Sequence, residues 1–292
     1  MIGAGSACKM AINQAQFFDL LTEYRRKNWH GIQTPEWQQK IIASMIEESR
    51  PAVLTRIAPY WKLPSDPLIL DLGSGVGNFV IGCRNQGYRA FGVEPDRIGQ
   101  GSSLTSLQIA AKRVDVNVFA AATGEQLPFR DSMFDLVVLD QVIEHVQDQN
   151  AVLAEALRVV KPSGAIYVAC PNYLRFYEPH YKLWFVPLML KFVGSLYLRL
   201  RRRDPVLLGQ LTYTTNWRVR RLLARLNARF VDLNESGFVS KCTSQTLSTT
   251  KKARLVRTLT KIPIVSRFVP FMASFYVRVR EGGSEFLIFR EA

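Results

Sequence analysis

The chain has 292 residues, 48% of them hydrophobic, and a formal net charge of +14 at pH 7. This length and apolar content exclude a disordered chain and allow one well-buried domain with additions. The charge is uneven, because residues 1–170 carry 16 Lys and Arg against 17 Asp and Glu, whereas residues 171–292 carry 22 against 7. The basic second half predicts an anionic partner: lipid headgroups, a phosphorylated acceptor or nucleic acid.

The cysteines and the apolar runs indicate in which cellular compartment the protein is expected. The four cysteines, at positions 8, 83, 170 and 242, form no C-x-x-C pair, which predicts buried reduced thiols and neither zinc nor disulfides. Residues 1–18 lack the features of a signal peptide, and no stretch has the ~18 uncharged apolar residues of a spanning helix. We therefore expect a cytoplasmic protein. No cluster of acidic residues suggests a metal, so no metal site is expected.

Helical and strand patterns alternate along the chain. Helices are predicted over residues 11–28, 35–49 and 52–61, before a first strand that closes on Asp71. Strands then follow over residues 88–94, 117–121, 134–140, 165–170, 230–234 and 284–289, with helices from residue 78 and over 97–112, 149–160 and 215–227. A turn is predicted at residues 161–164. This order predicts an α/β fold with a doubly wound, mostly parallel seven-stranded sheet that binds ligands at its strand ends.

A glycine-rich turn follows the first strand. Gly73, Gly75 and Gly77 allow the backbone to approach a ligand closely, and a helix begins just beyond them. A dinucleotide fingerprint would have its third glycine where Asn78 stands, so pyrophosphate is the weaker interpretation. The Asp71 carboxylate would repel a phosphate but suits a ligand with an ammonium or a sulfonium group. S-adenosylmethionine carries both.

Two further elements support this cofactor. Glu94 ends the second strand 19 residues after Gly75, the distance at which an acid can bind both ribose hydroxyls. Leu127-Pro128-Phe129 comes next, followed by the run from Phe134 to Val146. With these residues the chain resembles a class I S-adenosylmethionine-dependent methyltransferase of the type 11 domain group, which includes ubiquinone and menaquinone C-methylases. The resemblance implies a Rossmann-like methyltransferase fold.

The resemblance also implies roles for individual residues. It assigns residues 66–172 to the cofactor-binding core, in which Gly73, Gly75 and Gly77 wrap the cofactor and Glu94 holds the ribose. The other expected cofactor contacts are the adenine candidates and two residues facing the methionine part: Thr123, Gly124, Glu125, Asp140 and Gln141.

The remaining segments are expected to form the acceptor side. Residues 1–65 are predicted to be a helical lid, as in many enzymes of this class. Residues 173–212 form an amphipathic insertion after the fifth strand, and residues 213–292 complete the sheet around a second insertion at 236–283. Both insertions leave from strand ends that bind ligands.

Both insertions combine apolar runs with cations. In the first, a helical projection places five apolar residues opposite Lys191, Ser195, Arg199 and Arg202; these are Met189, Val193, Leu196, Tyr197 and Leu200. In the second, residues 262–272 are apolar but interrupted by prolines and Arg267, and they follow five cations. This composition is typical of an interfacial membrane segment, although a helix packed on the core is the alternative.

Methylation of a hydroxyl group needs a base, and the chain offers several candidates. His180 and Glu178 lie in a polar and aromatic stretch directly after the fifth strand, which resembles bacterial type 11 methyltransferases linked to surface polysaccharide synthesis. His145 follows Glu144 just past the fourth strand, but the Glu-His pair of this group is more often structural. Asp140 is a further candidate.

These features predict an S-adenosylmethionine-dependent methyltransferase that is peripheral on the inner face of the membrane. The first acceptor candidate is a sugar hydroxyl of a lipid-linked or cell-surface glycan, and the second is an isoprenoid quinone-like ring. An RNA-binding methyltransferase and a non-catalytic cofactor-binding module are the alternatives. Nucleic acid is not the expected partner, since phosphate binding predicts cations without a Trp-Phe-Leu-rich surface. The oligomeric state is left open.

Overall fold

The computed structural model describes residues 12–28, 52–95, 105–114, 117–178, 180–237 and 283–290, together with residues 271, 275, 278 and 279. Its helices are α1 (Gln14–Asn28), α2 (Ala52–Ile57), α3 (Asn78–Asn85), α4 (Ser106–Lys112), α5 (Gln149–Val159), α6 (Lys191–Leu200), α7 (Val206–Gln210) and α8 (Asn216–Arg225). Its strands are β1 (Leu68–Leu72), β2 (Arg89–Glu94), β3 (Phe119–Ala121), β4 (Phe134–Asp140), β5 (Val160–Pro171), β6 (Arg229–Asp232) and β7 (Gly283–Phe289). The helix predicted at 35–49 and most of the second insertion lie outside the described residues.

The strands form one seven-stranded sheet in the order β3-β2-β1-β4-β5-β7-β6. Strands β1 to β5 pair in parallel, and β7 is antiparallel to both β5 and β6. The predicted doubly wound, mostly parallel sheet is therefore confirmed.

Helices cover both faces of the sheet because the central strands are apolar on both sides. Residues Phe134–Leu139 of β4 are fully buried. On one face, α5 and α8 contribute Val152, Leu153 and Leu223 to the core. On the other, α2 and α3 contribute buried residues that include Ile57. This leaves the strand ends as the part of the sheet that is open to ligands.

The helix α1 packs next to the glycine-rich turn. Its Phe17 and Leu21 form a small apolar cluster with Val76 and Ile109. The buried guanidinium of Arg113 donates to the Val76 carbonyl at 2.6 Å and stacks over the Phe17 ring at 3.9 Å. These contacts link the N-terminal helix to the turn, and the lid function of residues 1–65 stays a prediction.

The turn predicted at residues 161–164 is wrong, since these residues are an irregularity within β5. Phe134 pairs with Val160 and Leu136 with Ala165, so the intervening residues of β5 bulge from the ladder. The Lys161 ammonium binds the Asp135 carboxylate at 2.8 Å, and a Cβ on Gly164 would lie 2.6 Å from the Asp135 carbonyl oxygen. The ion pair and the missing side chain keep the strand against β4.

The first insertion has a small core of its own. Tyr181, Phe185, Leu198 and Leu208 are buried together, and the Tyr181 hydroxyl donates to the Asp204 carbonyl at 2.9 Å. The helical projection of this segment did not identify the side of α6 that packs inward. Leu198 is buried, whereas other apolar residues of α6 are exposed. The cause is that α6 is apolar on most of its circumference. Within the described residues, no helix has both the length and the apolar character needed to cross a membrane.

The two cysteines among the described residues agree with the prediction of buried, reduced thiols. Cys83 and Cys170 are buried and free. Burial raises the pKa of both thiols above their usual range. They are therefore core residues, whereas Cys8 and Cys242 lie outside the described residues.

Candidate active site

Three carboxylates meet where β1, β2 and β4 end. Asp71 is buried and lies opposite Gly92 of β2 and Val138 of β4. Glu94 and Asp140 are the last residues of β2 and β4. Because parallel strands end at the same edge, residues that are far apart in the sequence form one acidic patch.

The glycine-rich turn is shaped by left-handed backbone conformations. Gly73, Gly75 and Gly77 have φ angles of 78°, 52° and 87°, which favour glycine. The amide of Gly73 donates to the Val93 carbonyl at 2.7 Å, so the turn is anchored to β2. A Cβ on Gly73 would lie 2.5 Å from the Val142 side chain, whereas one on Gly75 would meet no atom within 4 Å. The turn therefore packs tightly on one side and is open at Gly75.

Glu94 lies next to the open space at Gly75. One of its carboxylate oxygens accepts a hydrogen bond from the Gly75 amide at 3.0 Å. This bond brings the acid predicted to bind the ribose directly beside the glycine turn.

The acidic patch favours a positive ligand. Burial raises the pKa of Asp71 to about 8, and the nearby carboxylates of Asp140 and Glu94 act in the same direction. Asp71 therefore carries less negative charge at neutral pH than an exposed aspartate. An approaching cation stabilises the ionised form of Asp71, whereas a pyrophosphate would be repelled by the remaining acids.

The three adenine candidates differ in their surroundings. Thr123 is exposed, and Gly124 is buried against Leu72 and Val152. A Glu125 carboxylate oxygen accepts hydrogen bonds from the amides of residues 147 and 148, at 3.1 and 3.4 Å. Glu125 thus holds the start of α5, and its contact with adenine stays a prediction.

Asp140 and Gln141 are both exposed at the end of β4. Gln141 has a φ of 57°, and its amide donates to the Ala169 carbonyl of β5 at 2.9 Å. This left-handed residue ends the strand and starts the loop that carries Glu144 and His145. The contact of Asp140 and Gln141 with the methionine part of the cofactor stays a prediction.

A second polar group, here called the acceptor cluster, comprises Glu144, His145, Glu178 and His180. One Glu178 oxygen lies 2.7 Å from Nδ1 of His180, and the other accepts a hydrogen bond from the Tyr181 amide at 2.6 Å. The rings of His145 and His180 meet edge to face, with centroids 5.7 Å apart. The structure thus brings together all three residues predicted to be catalytic.

Glu144 is the member that the sequence-based prediction left out of the site. Its side chain is fully buried, and one carboxylate oxygen lies 3.9 Å from Nε2 of His145. Burial raises the pKa of Glu144 to about 7, although the adjacent His180 acts against this rise. The only signal in the sequence was the Glu-His pair, which was interpreted as structural.

The residues present fit S-adenosylmethionine. The open space at Gly75 beside Glu94 suits a ribose, and the acidic patch suits a sulfonium or an ammonium group. The loop bearing Val142, which touches the turn, leads directly to the acceptor cluster. The cluster is therefore linked to the glycine turn by this short loop.

Comparison with known proteins supports this assignment. The family model described as a methyltransferase domain matches residues 70–168. An uncharacterised methyltransferase of Mycobacterium leprae is 32% identical over 117 residues, which cover 40% of this chain and 42% of the relative. A ubiquinone biosynthesis O-methyltransferase of Rhizobium rhizogenes is 32% identical over 104 residues, which cover 36% of this chain and 41% of the relative. A 2-methyl-6-phytyl-1,4-hydroquinone methyltransferase of Synechocystis is 30% identical over 130 residues, covering 44% and 39%.

The chain spans about two-fifths of the length of these relatives. The matched region contains the glycine turn, Glu94 and the Glu144–His145 pair, but neither insertion. Over residues 70–168, which hold the cofactor-binding core, the chain is therefore similar to the methyltransferase domain family.

Proposed function

We propose that this chain transfers the methyl group of S-adenosylmethionine to a hydroxyl group of an amphiphilic acceptor, with a sugar hydroxyl of a lipid-linked or cell-surface glycan as the first candidate. The observation that carries the proposal is the acceptor cluster, a group of two imidazoles and two buried carboxylates. It follows the loop whose Val142 lies against Gly73 of the glycine turn. An activated ring carbon or a carboxylate would need no such group, whereas a hydroxyl has to lose its proton.

The cofactor supplies an electrophilic methyl group on a positively charged sulfur. Glu94 and the glycine turn hold the cofactor in one orientation, and this positioning contributes much of the rate. Glu178 fixes the ring of His180. In the transfer, the acceptor oxygen would bond to the methyl carbon as the carbon–sulfur bond breaks, and His180 would take the proton that the hydroxyl loses.

The amphiphilic character of the acceptor is inferred from an exposed apolar surface on the first insertion. We call it the insertion surface; it comprises Phe176, Trp184, Val186, Leu188, Leu190, Phe192, Val193, Leu196 and Leu200. Trp184, Phe192 and Leu200 are 77%, 73% and 75% exposed. Burying one such side chain stabilises a complex by about 1.5–3 kcal/mol, so the surface favours contact with lipid tails.

The segment that carries the insertion surface is also rich in cations. Lys182, Lys191, Arg199, Arg201, Arg202 and Arg203 lie in the same segment. Each cation near an anionic leaflet adds about 1 kcal/mol to membrane binding. The combination of apolar and cationic side chains favours an anionic membrane surface over RNA, whose phosphates offer no partner for Trp184 and Phe192.

A quinone-like ring is the second acceptor candidate. It is favoured by two relatives whose names describe methylation in ubiquinone biosynthesis and of a phytyl hydroquinone. Such a ring carries a hydroxyl group and a long apolar tail, so the acceptor cluster and the insertion surface would serve it in the same way.

One vesicle experiment tests reaction and location together. The chain is incubated with radiolabelled S-adenosylmethionine and phosphatidylglycerol vesicles that contain either a polyprenyl-linked oligosaccharide or a long-chain dihydroxybenzene. We expect salt-sensitive binding to vesicles, and label in the oligosaccharide that resists mild alkali because it is an ether. Replacing Trp184 and Phe192 with serine should lower vesicle binding at least about tenfold, since both lose apolar burial.

The matched control is Phe18→Ser, which removes a partly exposed aromatic ring on α1. This variant should bind vesicles like the original chain. Label in the dihydroxybenzene alone would select the quinone-like acceptor. Label in soluble glycan or RNA, without binding to vesicles, would contradict the proposed membrane acceptor.

A further inference from the structure

The acceptor cluster contains a buried carboxylate without a hydrogen-bond donor. Glu144 is fully buried, and neither of its carboxylate oxygens accepts a hydrogen bond from the described residues. Leaving a buried polar group unsatisfied costs about 1–3 kcal/mol, and more for a charged group. Such a side chain points to a ligand that completes its surroundings.

Two imidazoles face this carboxylate. One ligand atom each from Glu144, His145 and His180 lies within 4.8 Å of the other two. Ligand atoms at about 2.1 Å from one ion stand about 3–4 Å apart. A shift of about 1 Å or less in the side chains would therefore bring all three to one centre.

Glu178 prepares His180 for this role. Its carboxylate can only accept at 2.7 Å, so Nδ1 of His180 donates the proton and Nε2 keeps its lone pair. The Tyr181 amide holds the second Glu178 oxygen in place. A carboxylate behind a ligating histidine is the usual device for fixing the ring and increasing its basicity.

We propose that Glu144, His145 and His180 bind one divalent transition-metal ion, with Glu178 as the residue that orients His180. Two imidazoles and one carboxylate suit zinc, manganese or iron, whereas magnesium prefers oxygen ligands and water. The side chains of His145 and His180 are 39% and 19% exposed, so an ion held by them would be reached from solvent.

This inference rests on the proposed function for its role in the reaction. A hydroxyl that coordinates a divalent ion ionises at lower pH, which would prepare it for methylation. His180 would then act as a ligand, and the proton would pass to solvent. Without an ion, His180 would be the general base.

The binding itself is measured without the reaction. We expect calorimetric titration of the chelator-treated full chain with zinc chloride to give one site per chain, and magnesium chloride to give none. Cobalt chloride should produce the visible absorption of a site with nitrogen and oxygen ligands, a readout that needs no variant. Glu144→Gln and His180→Ala should each lower zinc affinity by at least about 100-fold, and Glu178→Gln by about 10- to 100-fold.

His30→Ala is the control, because His30 is the one histidine of the three in the sequence outside the cluster. It should keep full zinc affinity. Absence of zinc binding in the unaltered chain, or equal affinity in Glu144→Gln, would overturn the metal site. Full methyl transfer by the metal-free chain would overturn the role of the ion in the reaction and leave the proposed function standing, with His180 as the base.

Discussion

Replacing His180 with alanine is expected to lower methyl-transfer turnover at least about 100-fold while S-adenosylmethionine affinity changes less than about twofold. The ring lies in the acceptor cluster, where Glu178 holds its Nδ1. It is separate from the glycine turn and Glu94, which form the cofactor cradle. Loss of the imidazole therefore removes stabilisation of the ionised acceptor and leaves the cofactor contacts intact.

A steady-state assay with labelled cofactor, paired with calorimetry, separates these two effects. Glu178→Gln should have a smaller effect, about 10- to 100-fold, because the amide still contacts the ring but lacks the charge. His30→Ala serves as the control. Normal turnover in His180→Ala would remove His180 from the acceptor site, whichever way the cluster ionises the hydroxyl.

Replacing Glu94 with alanine is expected to weaken S-adenosylmethionine binding by about 10- to 100-fold. Hydrogen bonds to a charged group contribute about 1.5–3 kcal/mol, and the ribose would lose this acceptor. The variant also releases the Gly75 amide, which the carboxylate accepts at 3.0 Å. Glu94→Gln keeps an acceptor for that amide, so its S-adenosylmethionine affinity should lie between those of the original chain and Glu94→Ala.

Calorimetric titration of the purified variants measures this effect. Asp66→Ala is a matched control. Asp66 is an exposed acid that precedes the first residue of β1, at the end of the strand away from the glycine turn, and it pairs with Arg89 on the surface. Its cofactor affinity should equal that of the original chain. If Glu94→Ala also kept that affinity, the assignment of Glu94 to the ribose would be wrong.

The cofactor cradle was predictable because its signals are local. Gly73, Gly75 and Gly77 directly follow an apolar run, and positive φ angles at these positions need glycine. Glu94 lies at a spacing that one strand-helix-strand unit imposes. Strand patterning likewise predicted the sheet, since buried parallel strands are nearly continuous apolar runs.

The acceptor cluster was only partly predictable. His180 and Glu178 were recognised from a polar stretch after β5, but the approach of His180 to within 4.8 Å of Glu144 depends on how two loops meet in space. No spacing along the chain encodes that contact. The expectation that no metal is bound stays untested; it considered only residues that are close in sequence.

The two errors of prediction, the turn at residues 161–164 and the helical projection of α6, have different causes. Lys-Pro-Ser-Gly at residues 161–164 has the composition of a turn, but the residues on both sides of it pair with β4 and Lys161 binds Asp135, so the segment forms a bulge within β5. In α6, a helical projection cannot tell which apolar side packs inward when most of the circumference is apolar. Packing of Leu198 against Phe185 decides it.

The central claim is that the cradle selects S-adenosylmethionine, and calorimetric titration of the unaltered chain tests it most directly. We predict one site per chain for S-adenosylmethionine and for its demethylated product, and no binding of NAD, because the acids beside the glycine turn repel pyrophosphate. Binding of the cation at pH 7 should also release up to one proton, since the pKa of Asp71 is raised to about 8. Binding of NAD in place of S-adenosylmethionine would contradict the account.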